Sequence, residues 1–209
     1  MSNSQAGQDR FVRYILNNKE NGFFLEIGSN HPEHNNNTYI LEKMYNWRGI
    51  MVEYDNKWLP QYKAMRPNSC HIIDDATIIR YDEVLKNCNA PLNCDYLQID
   101  LDVDNKSTLT TLELLDEQIF DKYKFATVTF EHDIYLGNYF NTREISRNIF
   151  AKRGYVRCFS DICSNKRSYP FEDWYVHPDL VDMSRVAKIL TNRSVIGSHI
   201  RYPFERRIY

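Results

Sequence analysis

The residues of this chain best suited to chemistry are polar groups that follow short apolar runs. The run at positions 23–27 ends in four such residues, which are Glu26, Gly28, Ser29 and Asn30. A second apolar run ends at Glu53, 25 residues after Gly28. In a βαβ unit, an acid at this spacing is typical of a group that binds ribose hydroxyls. The two runs therefore predict a ribose-containing cofactor at the ends of two parallel strands.

The first turn lacks the glycines with which a G-x-G-x-x-G turn approaches a pyrophosphate. Gly28 is present, but His31 and Pro32 follow it instead of further glycines. The turn offers carboxylate and amide groups, which suit a cationic ligand better than a phosphate. S-adenosylmethionine has a sulfonium, an ammonium, a ribose and an adenine, and it has no phosphate. We therefore expect it, rather than a dinucleotide, at this turn.

The third apolar run, at 70–73, ends in Asp74, Asp75 and Ala76. A carboxylate there can accept a hydrogen bond from the exocyclic amine of an adenine, and Ala76 can approach the ring edge. We place this contact at Asp75 and Ala76. Asp74 could serve instead of Asp75, and the sequence does not distinguish the two acids.

The candidate catalytic residues follow the fourth and fifth predicted strands. Asp100 and Asp102 follow the run at 96–99, and Glu131 and His132 follow the run at 125–130. Asp100 could bind the ammonium of the cofactor or remove a proton, and His132 is a candidate general base because imidazole titrates near neutrality. A divalent cation, magnesium or manganese, held by Asp100, Asp102 and Glu131 is the alternative way to activate a hydroxyl.

The element pattern that positions these residues is an alternation of strands and helices. Helical spacing is predicted at 8–16, 37–45, 58–65, 81–87, 107–115 and 142–153, and strands at 23–27, 50–53, 70–73, 96–99, 125–130, 155–159 and 173–176. The alternation predicts a doubly wound α/β fold with a mostly parallel, Rossmann-like sheet. The last two strands have no helix between them, which predicts an antiparallel hairpin at the C-terminal edge. We expect one domain over residues 1–209.

Composition narrows the class of protein. The chain has 209 residues, 43% of them hydrophobic and 26% charged, with a net charge of −2. That charge argues against duplex nucleic acid as the main partner, and no apolar run is long enough to span a bilayer. Five cysteines without the spacing of a zinc knuckle predict reduced thiols. We expect a cytoplasmic location. This expectation includes the case of a viral protein that acts in the cytoplasm of its host.

Several segments together resemble the FkbM-type class I S-adenosylmethionine-dependent methyltransferases. They are residues 4–9, 23–30, 36–38, 41–42, 47–53, 96–102 and 130–132. The resemblance implies a seven-stranded sheet, O-methylation of a sugar or glycan, and the cofactor roles given above. It also matches Gln5 and Gln8 to an entry segment that folds over the cofactor. Many relatives have Asp-Val-Glu-Gly where this chain has Asp100-Leu101-Asp102-Val103, so a role for Asp102 does not transfer directly.

Three other functions are compatible with parts of the sequence. A nicotinamide-dependent oxidoreductase could use a similar sheet, although the missing glycines argue against it. A carbohydrate-binding module without catalysis would account for the 15 tyrosines. A nucleic-acid methyltransferase would use the basic pairs at 152–153, 166–167 and 206–207. We expect acceptor choice to depend on the segments after the fourth and fifth strands and on residues 160–173, interpreted as a loop.

Overall fold

The computed structural model describes residues 2–104, 106–164, 169–191 and 194–202. Seven strands form one sheet: β1 (Phe23–Ile27), β2 (Arg48–Glu53), β3 (Cys70–Ile73), β4 (Asn93–Ile99), β5 (Lys124–Glu131), β6 (Val156–Cys163) and β7 (Pro170–Val176). Seven helices accompany them: α1 (Gln8–Ile15), α2 (Tyr39–Tyr45), α3 (Leu59–Met65), α4 (Tyr81–Asn87), α5 (Ser107–Gln118), α6 (Phe140–Lys152) and α7 (Met183–Val186).

The strand order across the sheet is β3-β2-β1-β4-β5-β7-β6. The first five strands pair in parallel, whereas β7 pairs antiparallel with both β5 and β6. The predicted doubly wound α/β fold with an antiparallel C-terminal hairpin is therefore confirmed. The chain reverses its direction across the sheet between β1 and β4, which is where open α/β sheets bind ligands.

Burial on both faces explains why the central strands are almost continuously apolar. All five residues of β1 are buried, with Phe23, Leu25 and Ile27 in one core and Phe24 in the other. Glu26 is the exception, because it is a charged side chain that is 1% exposed in the middle of the sheet. A buried acid at this position requires hydrogen-bond partners, and they are found in the site described below.

The prediction of a loop at 160–173 is wrong for most of the residues that the structure describes in this range. Strand β6 continues to Cys163 and β7 begins at Pro170. Register shifts interrupt the pairing of these two strands, and Asp161 has a φ of 55°. Such bulges break the alternation of apolar and polar residues by which a strand is recognised in a sequence.

Helix α6 ends as its sequence predicts, because Gly154 follows it with a φ of 82°. The short helix α7 was not predicted, since it has four residues and too little apolar periodicity. The basic pairs at 166–167 and 206–207 lie outside the described residues. No helix within the described ranges is long and apolar enough to cross a membrane.

Candidate active site

Two adjoining cavities lie at the C-terminal edge of the parallel strands. The first has a volume of about 590 Å³ and the second of about 530 Å³. Glu53 and Leu101 line both, so the cavities form one continuous cleft across the ends of β1, β2, β3 and β4. A cleft of this size and position suits a cofactor of nucleoside size.

The cleft brings together nine of the ten residues predicted to bind the cofactor. The first cavity is lined by Gln5, Glu26, Gly28, Ser29, Asn30, Glu53 and Asp100. Asp75 and Ala76 line the second cavity. Gln5 reaches the cleft because Ser4 forms an isolated parallel bridge with Asn35.

Gln8, the tenth residue, lies elsewhere. Its side chain is fully buried, its Oε1 accepts a hydrogen bond of 2.8 Å from the Ala6 amide, and its Nε2 donates to Glu172. Gln8 therefore ties the N-terminal segment to β7 and does not line either cavity. The contact of Gln8 with the cofactor stays a prediction, and the position of the side chain away from both cavities does not favour it.

The turn after β1 depends on Gly28. Its φ is 82°, and its amide and that of Ser29 both donate to the Val52 carbonyl, at 3.0 and 3.1 Å. A Cβ atom at position 28 would lie 1.7 Å from the carbonyl oxygen of Asp100. The end of β1 and the start of the loop after β4 can therefore meet only at a glycine.

Glu53 is held in place by two backbone amides. Asn30 donates to its Oε2 at 2.7 Å and Asp55 to its Oε1 at 2.9 Å. Each carboxylate oxygen has a second lone pair, so the carboxylate can still accept from the two hydroxyls of a ribose. This fixed orientation agrees with the role predicted from its spacing to Gly28.

Glu26 is stabilised by a buried polar network that the sequence did not reveal. Its Oε2 accepts from Asn36 at 3.1 Å and from Thr38 at 3.0 Å. Arg66, also fully buried, donates to Asn36 and Thr38 and forms a 2.8 Å ion pair with Glu42. Burial raises the pKa of Glu26, and the charge of Arg66 opposes that rise. The network holds the segment after β1 against the first cavity.

Two buried side-chain oxygens at the first cavity have no hydrogen-bond partner. They are Oε1 of Gln98, which is 2% exposed, and Oδ1 of Asn37, which is 5% exposed. Buried acceptors normally have a donor, so two orphans on one cavity indicate a ligand that donates hydrogen bonds. Sequence reasoning missed both residues, although a glutamine inside the apolar run at 96–99 was a usable signal.

The second cavity contains the predicted adenine contact. Asp75 accepts from the amide and the hydroxyl of Thr77, at 2.9 and 2.7 Å, and the amide bond is the first cause of its lowered pKa. Asp74 is exposed and also lines this cavity. Tyr54, which is 78% exposed, is a further lining residue that the sequence reasoning did not select. Its ring is available to stack on a base.

Three carboxyl groups lie near one another where β4 and β5 end; Glu172 is buried, and Asp100 and Glu131 are half-buried. Asp100 lies beside Glu131, and Glu172 lies opposite Glu131 in the register of β5 and β7. Burial raises the pKa of Asp100, and burial together with the charge of Asp100 raises that of Glu131 well above its usual range. Burial and Asp100 also raise the pKa of Glu172 to about 8. Burial therefore favours the uncharged form of each of these three carboxyl groups.

His132 points into a different cluster. It is fully buried, and its Nε2 lies 3.5 Å from Oδ1 of Asp173 and 3.6 Å from Oδ1 of Asp161. Arg147 pairs with both aspartates, at 2.6 and 3.2 Å. Burial alone would raise the pKa of Asp173, but the neighbouring His132 and the hydrogen bonds from Arg147 hold that pKa well below its usual range. His132 does not line either cavity.

Among the described residues, the three metal ligands suggested by the sequence do not form one group: Asp100 lies beside Glu131, but Asp102 does not join them. Asp100 lines the first cavity and Asp102 the second, because the chain turns after Ile99 instead of continuing as a strand. Within the described ranges, the group of potential ligands whose atoms lie within 4.8 Å of one another is His132, Asp161 and Asp173. Arg147 pairs with both aspartates and Arg143 pairs with Asp161 at 3.0 Å, so this cluster is an ion-pair network.

Comparison with solved structures finds methyltransferases. The chain is similar to a TehB-like S-adenosylmethionine-dependent methyltransferase from Corynebacterium glutamicum, with a TM-score of 0.53 and 9% identity over 82% of this chain and 87% of that one. It is similar to Aeropyrum pernix fibrillarin with natively bound S-adenosylmethionine, with a TM-score of 0.51 and 14% identity over 83% and 74%. It is also similar to fibrillarin of Methanococcus jannaschii, a pre-rRNA processing protein. The TM-score is 0.50 and the identity is 13%, over 77% of this chain and 68% of that one.

Neither a scan against family models nor a search of curated proteins finds a match. At these identities the structural likeness establishes the fold alone. The strand order, the antiparallel hairpin and these neighbours agree: the chain has the fold of the class I S-adenosylmethionine-dependent methyltransferases.

Proposed function

We propose that this protein is an S-adenosylmethionine-dependent O-methyltransferase of the FkbM type that methylates a hydroxyl group of a sugar or glycan. The observation on which the cofactor assignment rests is the charge of the cleft. Among the described residues that line the two cavities there is no lysine or arginine, whereas five acids line them together with Glu53. A phosphate-bearing cofactor would lack a cation there, and a cationic one finds acceptors.

The residues of the cleft divide along the cofactor. Asp75, Ala76 and Tyr54 would contact the adenine, and Glu53 would accept from the ribose hydroxyls. The acids and amides of the first cavity would surround the amino-acid end. When bound, S-adenosylmethionine supplies an electrophilic methyl group on a sulfonium. The chain has to align the acceptor with that group and remove a proton.

Asp100 and Glu131 suit the proton transfer. In the displacement, the acceptor oxygen forms a bond to the methyl carbon as the bond from carbon to sulfur breaks, and the hydroxyl proton passes to the Asp100 carboxylate. Glu131, which lies beside Asp100, would share a proton with it and keep it in position. We assign the base to Asp100 in preference to His132, because Asp100 lines the cleft and His132 does not.

Acids and tyrosines beside the methyl-transfer position support an uncharged acceptor. Tyr135 and Tyr169 are each 39% exposed, and their rings meet edge to face at 5.2 Å. Burial, followed by the charges of Asp133 and Glu131, raises the pKa of Tyr135. Burial and the charges of Asp100, Asp104 and Asp102 raise the pKa of Asp133 to about 7. Aromatic faces with carboxyl groups bind sugar rings and repel polyanions.

An RNA acceptor is the second candidate, because one neighbour in the structural comparison is a pre-rRNA processing protein. The acids around Asp133 argue against it, since a polyphosphate would meet like charge at the methyl-transfer position.

The test is transfer of a labelled methyl group from S-adenosylmethionine to a panel of glycans and to RNA, each with and without a chelator. We expect label on glycan, lost after Asp100→Asn. Label on RNA alone would contradict the acceptor assignment. Loss of activity with chelator and its return with magnesium or manganese would contradict the metal-free route.

A further inference from the structure

We propose that Gln98 and Asn37 bind the ammonium group of the methyl donor through their side-chain oxygens. The inference rests on the proposed cofactor and names the residues that recognise its amino-acid end. Its basis is that these two oxygens are buried and unpartnered, and that both residues line the first cavity.

The sheet places Gln98 next to Glu26, an acid, where a cationic ligand is favoured. Its neighbour on β1 is Glu26 and its neighbour on β5 is Thr129, so the three side chains share one face of the sheet. Thr129 is already bonded to the Tyr96 hydroxyl at 2.7 Å, and Glu26 accepts from Asn36 and Thr38. The Gln98 oxygen remains without a donor between them.

Asn37 approaches the same cavity from the segment after β1. Its neighbours Asn36 and Thr38 donate to Glu26, and Arg66 donates to the side chains of both. Its own Oδ1 is buried without a donor. A single ammonium has three donors, which is enough for the two orphan oxygens and one carboxylate.

The chemistry of the orphans selects the ammonium from the groups of the donor. A sulfonium has no hydrogen to donate, and a carboxylate would repel two acceptor oxygens. The nearby carboxyl groups of Glu26 and Asp100 also favour a cation. Hydrogen bonds to a charged group are worth more than neutral ones, so the loss of one should be measurable.

Calorimetry with two ligands tests the assignment. S-adenosylhomocysteine has the amino-acid end, whereas 5′-methylthioadenosine lacks it and keeps the adenine and ribose. We expect Gln98→Leu and Asn37→Leu each to weaken S-adenosylhomocysteine binding by about ten- to a hundredfold and to leave 5′-methylthioadenosine binding unchanged. The matched control is Thr111→Val, which removes another buried, unpartnered oxygen that lies on α5 and lines neither cavity.

The outcomes separate this inference from the proposed function. Equal weakening of both ligands, or of neither, in the Gln98 and Asn37 variants would overturn the ammonium assignment. Failure of wild-type protein to bind either ligand would instead overturn the proposed cofactor. Thermal unfolding of each variant shows whether it folds, and the ratio of the two affinities is unaffected by a partly unfolded sample.

Discussion

The carbonyl oxygen of Asp100 occupies the space in which residue 28 would carry a Cβ atom. The distance between that oxygen and the ideal Cβ position is 1.7 Å, and Gly28 also has a φ of 82°. The cofactor turn after β1 and the candidate base after β4 are therefore packed directly against each other. The same contact fixes both halves of the site.

Gly28→Ala should destabilise the protein and abolish binding of S-adenosylhomocysteine, because the added methyl group must displace the Asp100 backbone. Gly154→Ala is the matched control. Gly154 also has a φ of 82°, but a Cβ atom there would lie 3.9 Å from the nearest atom, Nε2 of His177. That control carries only the strain of a left-handed residue, about 1–2 kcal/mol. Thermal unfolding and calorimetry compare the two, and equal effects would contradict the steric account.

Asp100→Asn should reduce methyl transfer by about a hundredfold or more, because it removes the proton acceptor. Glu131→Gln should retain more activity, since an amide can still donate to Asp100. The wild-type rate should rise with pH, because the base must be ionised. On the acid side, the rate should fall at a pH above the usual pKa range of an aspartate, because burial raises the pKa of Asp100. A pH–rate profile of the folded variants checks this, and an active Asp100→Asn enzyme would exclude the assignment.

The adenine contact can be assigned by comparing two neighbouring acids. Asp75→Asn should weaken S-adenosylhomocysteine binding, because Asp75 is oriented by two hydrogen bonds from Thr77. Asp74→Asn should have a smaller effect, because its side chain is exposed and only accepts from the next amide. Calorimetry on both variants decides, and the reverse order would assign the contact to Asp74.

Arg66→Met should lower the free energy of unfolding by about 3–5 kcal/mol, because it leaves Glu42 and Glu26 buried without their cation. Arg80→Met should have little effect, since the ion pairs of Arg80 with Asp82 and Glu83 are exposed. Denaturant unfolding measures both. Similar losses in the two variants would show that the buried network is not what stabilises this edge of the sheet.

The fold and most of the cofactor residues could be predicted because they depend on local patterns. Apolar runs that end in Glu26, Glu53 and Asp75 mark strand ends, and parallel strands bring those ends to one edge. The network around Glu26 could not be predicted, because Arg66 lies 40 residues away in sequence and joins it only through tertiary packing, by bonds to Asn36 and Thr38.

Side-chain direction after a strand was the other limit. Glu131 and His132 are adjacent in sequence, yet Glu131 lies beside Asp100 and His132 lies beside Asp173 in the ion-pair network. Successive residues of a strand point to opposite faces, so the sequence did not show which of these two neighbours would face Asp100. Asp100 and Asp102 were separated by a turn for which the sequence had given no clear signal.

The central claim is that the cleft binds S-adenosylmethionine, and titration calorimetry with S-adenosylhomocysteine and with NAD tests it most directly. The account predicts one S-adenosylhomocysteine per chain, weakened by Glu53→Gln because the carboxylate that accepts from the ribose is lost, and no binding of NAD. Binding of NAD without binding of S-adenosylhomocysteine would contradict it.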